Sequence, residues 1–348
     1  MVSRGGRALS LVVAVVAAAL AAAAAFSSMA TTEPSLDGRL ALDVSSVPLD
    51  ASDPSRSAVG PLLYLGGLRL SSADPRFGGL SDLRVSPDGA RLFAVSDCGR
   101  GFTASLSYDA AGRLTGVADA RLVDLASPAG GPSGMGESDA ESLVLGDGLE
   151  VGFEGRARVQ SYAAEPAFAG PARPLASPPG VGECGRNGGL EAMTDTADGR
   201  RLLVCEAKRG ASSTVPAWVG RDEAWTPREY PLAFEGGWAG EPFRPTGAAR
   251  LPDGDLLVVE RRFPPIGARL VRLPRVSLES TGALAPREIA RFESPLTLDN
   301  FEGVEARKDA SGRTLVYLLS DDNGCAKTVG STRSSLQRTL LLLFALEG

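Results

Sequence analysis

A pair of short acidic phrases recurs five times along this chain of 348 residues. Each unit opens with a phrase such as Gly189-Leu190-Glu191 and closes 13 to 19 residues later with a second acidic phrase such as Cys205-Glu206. Successive closing carboxylates stand 57, 52, 54 and 61 residues apart, at Asp97, Glu154, Glu206, Glu260 and Asp321. A period near fifty residues with strand-like content is typical of a β-propeller, in which each repeat is one blade. The repeat therefore predicts an all-β ring of blades.

Each unit is predicted to contain an antiparallel hairpin. Four of the units carry a turn rich in Asp and Gly between opening and closing, as in Asp88-Gly89 and Asp198-Gly199. These residues tolerate the positive φ angles that tight hairpin turns demand. An apolar run such as Leu256-Leu257-Val258-Val259 follows each turn, which is typical of a strand buried on both faces.

The hairpin geometry predicts where the acidic phrases meet. In an antiparallel pair the start of the first strand lies beside the end of the second, so openings and closings emerge on one face of the disc. We therefore expect eight carboxylates to converge around one mouth of the central channel: Asp97, Glu141, Glu154, Glu191, Glu206, Glu260, Glu302 and Asp321.

The N-terminus resembles a targeting segment. Arg4 and Arg7 precede an apolar stretch that ends at Phe26, and Ser28-Met29-Ala30 offers a small-x-small cleavage site. We predict a cleaved signal peptide over residues 1–30 and one propeller domain over residues 31–348, in the periplasm or secreted, with no stable membrane span after cleavage. A retained membrane anchor is the alternative. The net charge of −6 does not indicate a nucleic-acid-binding surface.

Export makes the four cysteines candidates for disulfides, and four cysteines allow three pairings. Cys98 and Cys325 both follow a Ser-Asp phrase, in the first and last units, which ring closure would bring together. The favoured set is therefore Cys98–Cys325 with Cys184–Cys205. Four unpaired thiols are the alternative.

Strand candidates also remain outside the five units. Leu62-Leu63-Tyr64-Leu65 lies before them, and an apolar run over residues 339–346 lies after them. We expect the N- and C-terminal strands to share one further blade and close a ring of six, because closure removes exposed sheet edges.

Several of these motifs together resemble a known family. They are Phe77-Gly78-Gly79-Leu80-Ser81, Asn187-Gly188-Gly189-Leu190-Glu191, Pro245-Thr246-Gly247, Asn300-Phe301-Glu302-Gly303 and Ser320-Asp321-Asp322-Asn323. From about Leu62 to Phe344 the chain resembles the exported bacterial phytase-like family, described as having esterase-like activity of the phytase type. The resemblance implies a relation to propeller phytases, which hydrolyse phosphate esters at a calcium-filled mouth.

The chain contains no histidine, which excludes a Ser-His-Asp triad, a Cys-His nucleophile and histidine-ligated zinc. It also contains no Gly-x-Ser-x-Gly nucleophile elbow. The chemistry that remains is that of carboxylates with a hard cation. Ca²⁺ accepts six to eight oxygen ligands in loose geometry, and a bound metal can polarise a phosphoryl oxygen.

Repeat position and charge assign the candidate roles. The predicted catalytic residues are Glu191 and Glu302. The predicted ligands of Ca²⁺ are Asp97, Glu141, Glu206, Glu260 and Asp321. The predicted phosphate-binding residues are Arg100, Lys208, Arg261 and Arg262.

These assignments predict a monomeric, metal-dependent phosphoric ester hydrolase that acts on a small phosphate ester or other anionic ligand at an acidic mouth. The alternative is a noncatalytic periplasmic propeller whose mouth binds a cation or another ligand. A third possible function is hydrolysis of a carboxylic rather than a phosphoric ester. In a purely structural reading, Glu260 beside Arg261 and Glu206 near Lys208 form ion pairs that join neighbouring blades.

Overall fold

The computed structural model of this chain describes residues 38–134, 137–185, 188–207, 212–234, 241–280, 282–324 and 337–347. The predicted signal peptide, Lys208 and Cys325 lie outside these described residues, so the predictions made for them stay predictions. Within the described ranges, no helix has the length and apolar character of a membrane span.

Strands account for nearly all of the regular structure. In chain order they are β1 Asp43–Ser46, β2 Ala58–Val59, β3 Leu62–Ser71, β4 Leu80–Val85, β5 Arg91–Ser96, β6 Arg100–Tyr108, β7 Leu114–Asp124, β8 Ala140–Leu145, β9 Leu149–Phe153, β10 Arg158–Tyr162, β11 Arg173–Pro174, β12 Leu190–Asp195, β13 Arg201–Cys205, β14 Thr214–Arg221, β15 Ala224–Pro231, β16 Arg244–Arg250, β17 Leu256–Arg262, β18 Gly267–Leu273, β19 Arg287–Phe292, β20 Asn300–Lys308, β21 Thr314–Asp321 and β22 Thr339–Leu346. The described helices are a 3₁₀ turn, Val181–Glu183, and one short α-helix, α1, Val276–Glu279.

These strands form five antiparallel sheets, which are the blades of a propeller. Blades 1 to 4 each contain four consecutive strands, in the orders β4-β5-β6-β7, β8-β9-β10-β11, β12-β13-β14-β15 and β16-β17-β18-β19. Blade 5 has the order β20-β21-β22-β3-β1, and β2 pairs with β3. The first strands of the blades, β4, β8, β12, β16 and β20, contact one another in a closed ring and surround the central channel. The predicted all-β propeller is confirmed.

The prediction of six blades was wrong, because the structure has five. The terminal strands do share a blade, as expected: Leu341 of β22 pairs with Leu68 of β3 on one side and with Leu319 of β21 on the other. They complete the fifth repeat rather than adding a blade. The fifth repeat contributes the hairpin β20–β21, and the free edge of β21 is the edge on which the chain ends pair.

The core consists of five apolar layers, each lying between two neighbouring blades. Between blades 1 and 2, for example, Phe93 packs with Leu143 and Phe153. Both faces of a central strand are therefore covered by other blades. Burial of both faces explains why the strand sequences are continuous apolar runs rather than alternating patterns.

The Asp-Gly turns have the backbone geometry that the sequence predicts. Gly89, Gly199, Gly254 and Gly312 have φ angles of 80°, 83°, 91° and 86°. Because L side chains are disfavoured in this left-handed region, glycine is the residue that allows each hairpin to turn tightly.

The Cys184–Cys205 disulfide is confirmed, with Cα atoms 5.5 Å apart and a sequence separation of 21 residues. It ties the segment before blade 3 to the end of β13, and both cysteines are buried. Replacing both by alanine should lower the free energy of unfolding by about 3 kcal/mol, because the unfolded chain gains the freedom of an open loop. Denaturant unfolding of the double variant beside the oxidised protein would measure this loss. An unchanged midpoint would contradict it.

Candidate functional site

All five blades have the same irregularity near the start of the first strand. At this point the pairing between first and second strand skips one residue, which is a β-bulge. The skipped residues are Ser81, Glu141, Glu191, Thr246 and Glu302. A bulge bends the strand and turns the extra side chain in a new direction. The opening residues of the sequence repeat are thus the bulge residues of the blades.

Four of the five bulge residues line a cavity of about 170 Å³ at one mouth of the channel. Every blade contributes to the lining, although blade 4 does so without its bulge residue. The lining residues are Ser81, Asp97, Glu141, Glu154, Glu191, Glu206, Arg261, Glu302, Asp321 and Asn323. Seven carboxyl groups therefore face one guanidinium. We call this space the acidic cavity. Thr246, the remaining bulge residue, donates its hydroxyl proton to the carbonyl of Phe301 at 3.1 Å instead.

The structure does not bring Glu260 into the acidic cavity. Its side chain is wholly buried and accepts hydrogen bonds from the Tyr230 hydroxyl at 2.6 Å and from Arg269 Nε at 2.5 Å. Strand register explains the difference, since Glu260 pairs with Pro245, the residue just before the bulge.

Register also shows which residue takes the closing position in blade 4. The residues that pair just before the bulge are Ser96, Phe153, Cys205, Glu260 and Ser320. The residues that follow them are Asp97, Glu154, Glu206, Arg261 and Asp321, all of which line the acidic cavity. Blade 4 therefore presents an arginine where the other four blades present a carboxylate.

Two of the predicted phosphate-binding arginines lie away from the acidic cavity. Arg100 pairs with Asp124 at 3.1 Å, and Arg262 packs over the ring of Phe243 at 4.6 Å and pairs with Glu293 at 3.4 Å. Arg261 is the predicted cation that the structure does place in the cavity.

Arg261 is an internal counter-ion for the carboxylates. Its Nη2 lies 3.0 Å from Glu206 Oε1 and 3.3 Å from Glu302 Oε1, so it bridges blades 3, 4 and 5. Burial acts to lower the pKa of Arg261, but the charges of Glu302 and Glu206 outweigh it and raise that pKa. Its Nε is buried and has no hydrogen-bond partner among the described residues.

On the blade 2 side, three carboxyl groups cluster closely. Asp139, Glu141 and Glu154 each offer one oxygen, and these oxygens all lie within 4.8 Å of one another. The carboxyls also contact in pairs, Asp139 with Glu141 and Glu154 with Glu191. Sequence reasoning did not assign a role to Asp139, although it opens the same phrase as Glu141 two residues later.

On the blade 5 side, amides hold the carboxylates in place. Glu302 accepts a hydrogen bond from Asn300 Nδ2 at 2.8 Å, and Asp321 accepts one from the backbone N–H of Asn323 at 2.7 Å. Asp97 Oδ1, by contrast, is buried with no hydrogen-bond partner in the part of the chain that the structure describes. A buried acceptor left in this way is costly unless another group, such as a cation, satisfies it.

Burial and mutual repulsion raise the pKa values of six carboxyls that line the acidic cavity. Burial, followed by the charges of Glu302 and Asp139, raises the pKa of Asp97 to about 8. Burial likewise raises the pKa values of Glu154 and Glu302 to about 7 each. The pKa values of Glu141, Glu191 and Asp321 are raised well above their ordinary range, with burial again the largest cause. At neutral pH these carboxyls need either protons or cations.

The donor set fits a hard divalent cation. All of the acidic groups offer oxygen, they are held on several different strands, and Asp97 contributes an oxygen without a partner. Oxygen ligands in flexible arrangements are what Ca²⁺ prefers, whereas zinc prefers the nitrogen and sulfur ligands that this cavity lacks.

Comparison with solved structures finds remote likenesses. The catalytic domain of a GH62 α-L-arabinofuranosidase from Coprinopsis cinerea is 16% identical over 89% of this chain and 98% of that one, with a TM-score of 0.47. The structure of U3-55K is 11% identical over 76% of this chain and 95% of that one, with a TM-score of 0.39. Likenesses this distant say nothing about the activity of this chain. No curated protein matches it in sequence.

Comparison with protein families gives a clear result. The family described as "Phytase-like: Esterase-like activity of phytase" matches residues 75–324, which span blades 1 to 4 and the hairpin of blade 5. This range covers most of the chain and includes every residue that lines the acidic cavity. The chain belongs to the phytase-like family.

Proposed function

We propose that this protein is a calcium-dependent phosphoric ester hydrolase whose reaction takes place in the acidic cavity. The observation that carries the proposal is the convergence of seven carboxyls and one arginine at one mouth of a phytase-like propeller. A phosphate ester needs cationic partners for its oxygens and a carboxylate to orient water, and the cavity offers both kinds of group once a cation joins Arg261.

Asp139, Glu141 and Glu154 are the residues that would hold the cation, because their oxygens lie within 4.8 Å of one another and Glu141 and Glu154 line the acidic cavity. When bound, Ca²⁺ supplies a Lewis acid that polarises a phosphoryl oxygen. Arg261 supplies a second, permanent positive charge, and its planar fork suits phosphate oxygens.

Glu302 and Glu191 are the proposed acid–base pair. With a pKa of about 7, Glu302 can accept a proton from an attacking water near neutral pH. Glu191, whose pKa is raised well above its ordinary value, holds a proton that it can give to the leaving alcohol oxygen. Burial of both carboxyls excludes bulk water from these proton transfers.

The proposed setting is outside the cytoplasm, where the Cys184–Cys205 disulfide persists without reduction. The proposed partner is a small phosphate ester or another anionic ligand, bound by a monomer. The size of the cavity, about 170 Å³, suits a single phosphoryl group better than a bulky ligand.

The direct test is phosphate release by the purified protein from phytate and from an aryl phosphate, with added Ca²⁺ and with a chelator. We expect release that requires Ca²⁺ and that a Glu302→Gln variant loses. A folded protein that binds Ca²⁺ but releases no phosphate from either substrate would contradict hydrolysis.

A noncatalytic cation-binding propeller is the second candidate function. It is favoured by the two ion pairs of Arg261, which join three blades and give part of the acidic cavity a structural role. Under this alternative Ca²⁺ stabilises the fold, and no phosphate or carboxylic ester is turned over.

A further inference from the structure

A buried ion pair lies in the channel beneath the acidic cavity. Asp82 and Arg84 stand on β4, just after the bulge of blade 1, and are 0% and 4% exposed. Besides the carbonyl of Leu83 on its own strand, the guanidinium of Arg84 donates to three backbone carbonyls of other blades: Nη1 to Val304 at 3.1 Å, and Nη2 to Met193 at 2.7 Å and Ala248 at 3.0 Å. These carbonyls belong to blades 5, 3 and 4.

Asp82 contacts blade 2, the one blade that Arg84 does not contact through these carbonyls. Its Oδ2 accepts a hydrogen bond from the backbone N–H of Leu143 in blade 2 at 2.8 Å, while Oδ1 accepts one from Arg84 Nη1 at 3.1 Å. A second carboxylate, Glu305, lies 3.5 Å from Arg84 Nε. One ion pair on blade 1 is therefore bonded to the backbone of all four other blades.

The four contacted residues occupy equivalent positions. Each lies two residues after the bulge of its blade: Leu143 after Glu141, Met193 after Glu191, Ala248 after Thr246 and Val304 after Glu302. Chance contacts in a packed channel would not select one position in every blade. The equivalence indicates that the pair sets the height and spacing of the bulges relative to one another.

We propose that Asp82 and Arg84 are positioning residues that hold the bulge of Glu141, one of the proposed ligands of a divalent cation, at a fixed spacing from the bulges of Glu191 and Glu302. This inference rests on the proposed function, since it concerns the same cavity. The reason is geometric: a planar guanidinium presents rigidly spaced donors, so carbonyls bonded to it on different sides cannot drift independently. Groups behind metal ligands commonly change metal affinity 10- to 100-fold when removed.

The test compares Arg84→Lys with Arg250→Gln. Lysine keeps the positive charge but replaces the planar fork by a single nitrogen, which cannot reach carbonyls on three blades. Arg250 is the control, because it also lies on a first strand but its side chain is 41% exposed. It forms an ion pair with Asp195 at a distance of 2.7 Å, and this pair lies away from the bulges. Calorimetric titration with Ca²⁺, at a temperature where circular dichroism shows both variants folded, gives the affinities.

We expect Arg84→Lys to bind Ca²⁺ 10- to 100-fold more weakly than the unmodified protein, and Arg250→Gln to stay within about twofold. A folded Arg84→Lys with unchanged affinity would overturn the proposal. If Arg84→Lys does not fold, Asp82→Asn takes its place with the same two outcomes. Loss of the fold in both variants, while Arg250→Gln folds, would also overturn it, because the pair would then serve stability alone.

Failure of the proposed function would look different. If the unmodified protein binds no Ca²⁺, hydrogen exchange of peptides covering residues 140–145, 190–195 and 300–306 decides the positioning role without metal. Faster exchange there in Arg84→Lys than in Arg250→Gln would support positioning while the calcium-dependent function fails. Equal exchange in the two variants would overturn the positioning role itself.

Discussion

In the presence of a chelator, raising the pH from 5 to 8 should lower the free energy of unfolding of this protein, and added Ca²⁺ should restore it. The acidic cavity is the cause, because burial first and neighbouring charges second raise the pKa values of Glu154 and Glu302 to about 7 and that of Asp97 to about 8. In the unfolded chain such carboxyls lose their protons near pH 4. Between these values the folded state binds more protons than the unfolded state.

The sign of the effect follows from this proton balance. Stability contributed by a carboxyl with a raised pKa is fully present below its unfolded pKa and is lost as the pH rises through its folded pKa. Carboxyls with lowered pKa values, such as Asp309 at about 2, titrate below this window. The range from pH 5 to 8 therefore reports on the acidic cavity together with Asp82 and Glu305, whose pKa values burial raises to about 7. Bound Ca²⁺ at 100 times its Kd adds about 2.7 kcal/mol to the folded state.

Urea unfolding at pH 5, 6, 7 and 8, in chelator and in Ca²⁺, measures both effects. Replacing Glu141 by glutamine should flatten the pH dependence in chelator, since it removes one of the buried titrating groups. Stability that rises with pH in chelator would contradict the prediction.

Glu191→Gln and Glu260→Gln should have opposite effects, although both remove one buried glutamate. Glu191 touches Glu154, and burial with the charge of Glu206 raises its pKa, so folding must keep it protonated at neutral pH. Replacing it removes that cost and should leave the metal-free fold at least as stable. Calcium-dependent hydrolysis should fall by at least about 100-fold, because the proposed proton donor is gone.

Glu260→Gln should instead retain hydrolysis within a few-fold and lose stability. Glu260 is the hydrogen-bond partner of Tyr230 and Arg269 and lies outside the acidic cavity. Weakening a charged, buried hydrogen bond costs about 2 kcal/mol. Turnover assays and denaturant unfolding of the two variants side by side check the contrast. Equal loss of hydrolysis in both variants would contradict the separate roles of the two glutamates.

Much of the architecture follows from the sequence, because the signals are local. A hairpin turn needs residues that accept positive φ, and Asp88-Gly89 or Asp198-Gly199 supply them within two positions. A strand buried between blades needs a continuous apolar run, and β17 shows one. The repeat period then places the acidic phrases at one mouth, and for this reason the sequence alone predicts a common cavity for Asp97, Glu191 and Glu302.

Only the tertiary structure decided the number of blades, the closing residue of blade 4 and the ion pair in the channel. Each depends on contacts between residues far apart in sequence. Pairing of Leu341 with Leu68 turns a predicted sixth blade into the completion of the fifth. Strand register puts Arg261 rather than Glu260 in the acidic cavity, because Glu260 pairs with Pro245 and a shift of one residue reverses the face to which a strand side chain points.

The contacts of Arg84 give the same lesson for the site. In sequence it is one arginine in a strand, and nothing near it in the chain indicates that its partners lie 109 to 220 residues away. Local propensity determined where this chain turns and where its strands run. Closure of the ring determined which side chains meet, because strand register and blade order are set by the packing of the whole ring.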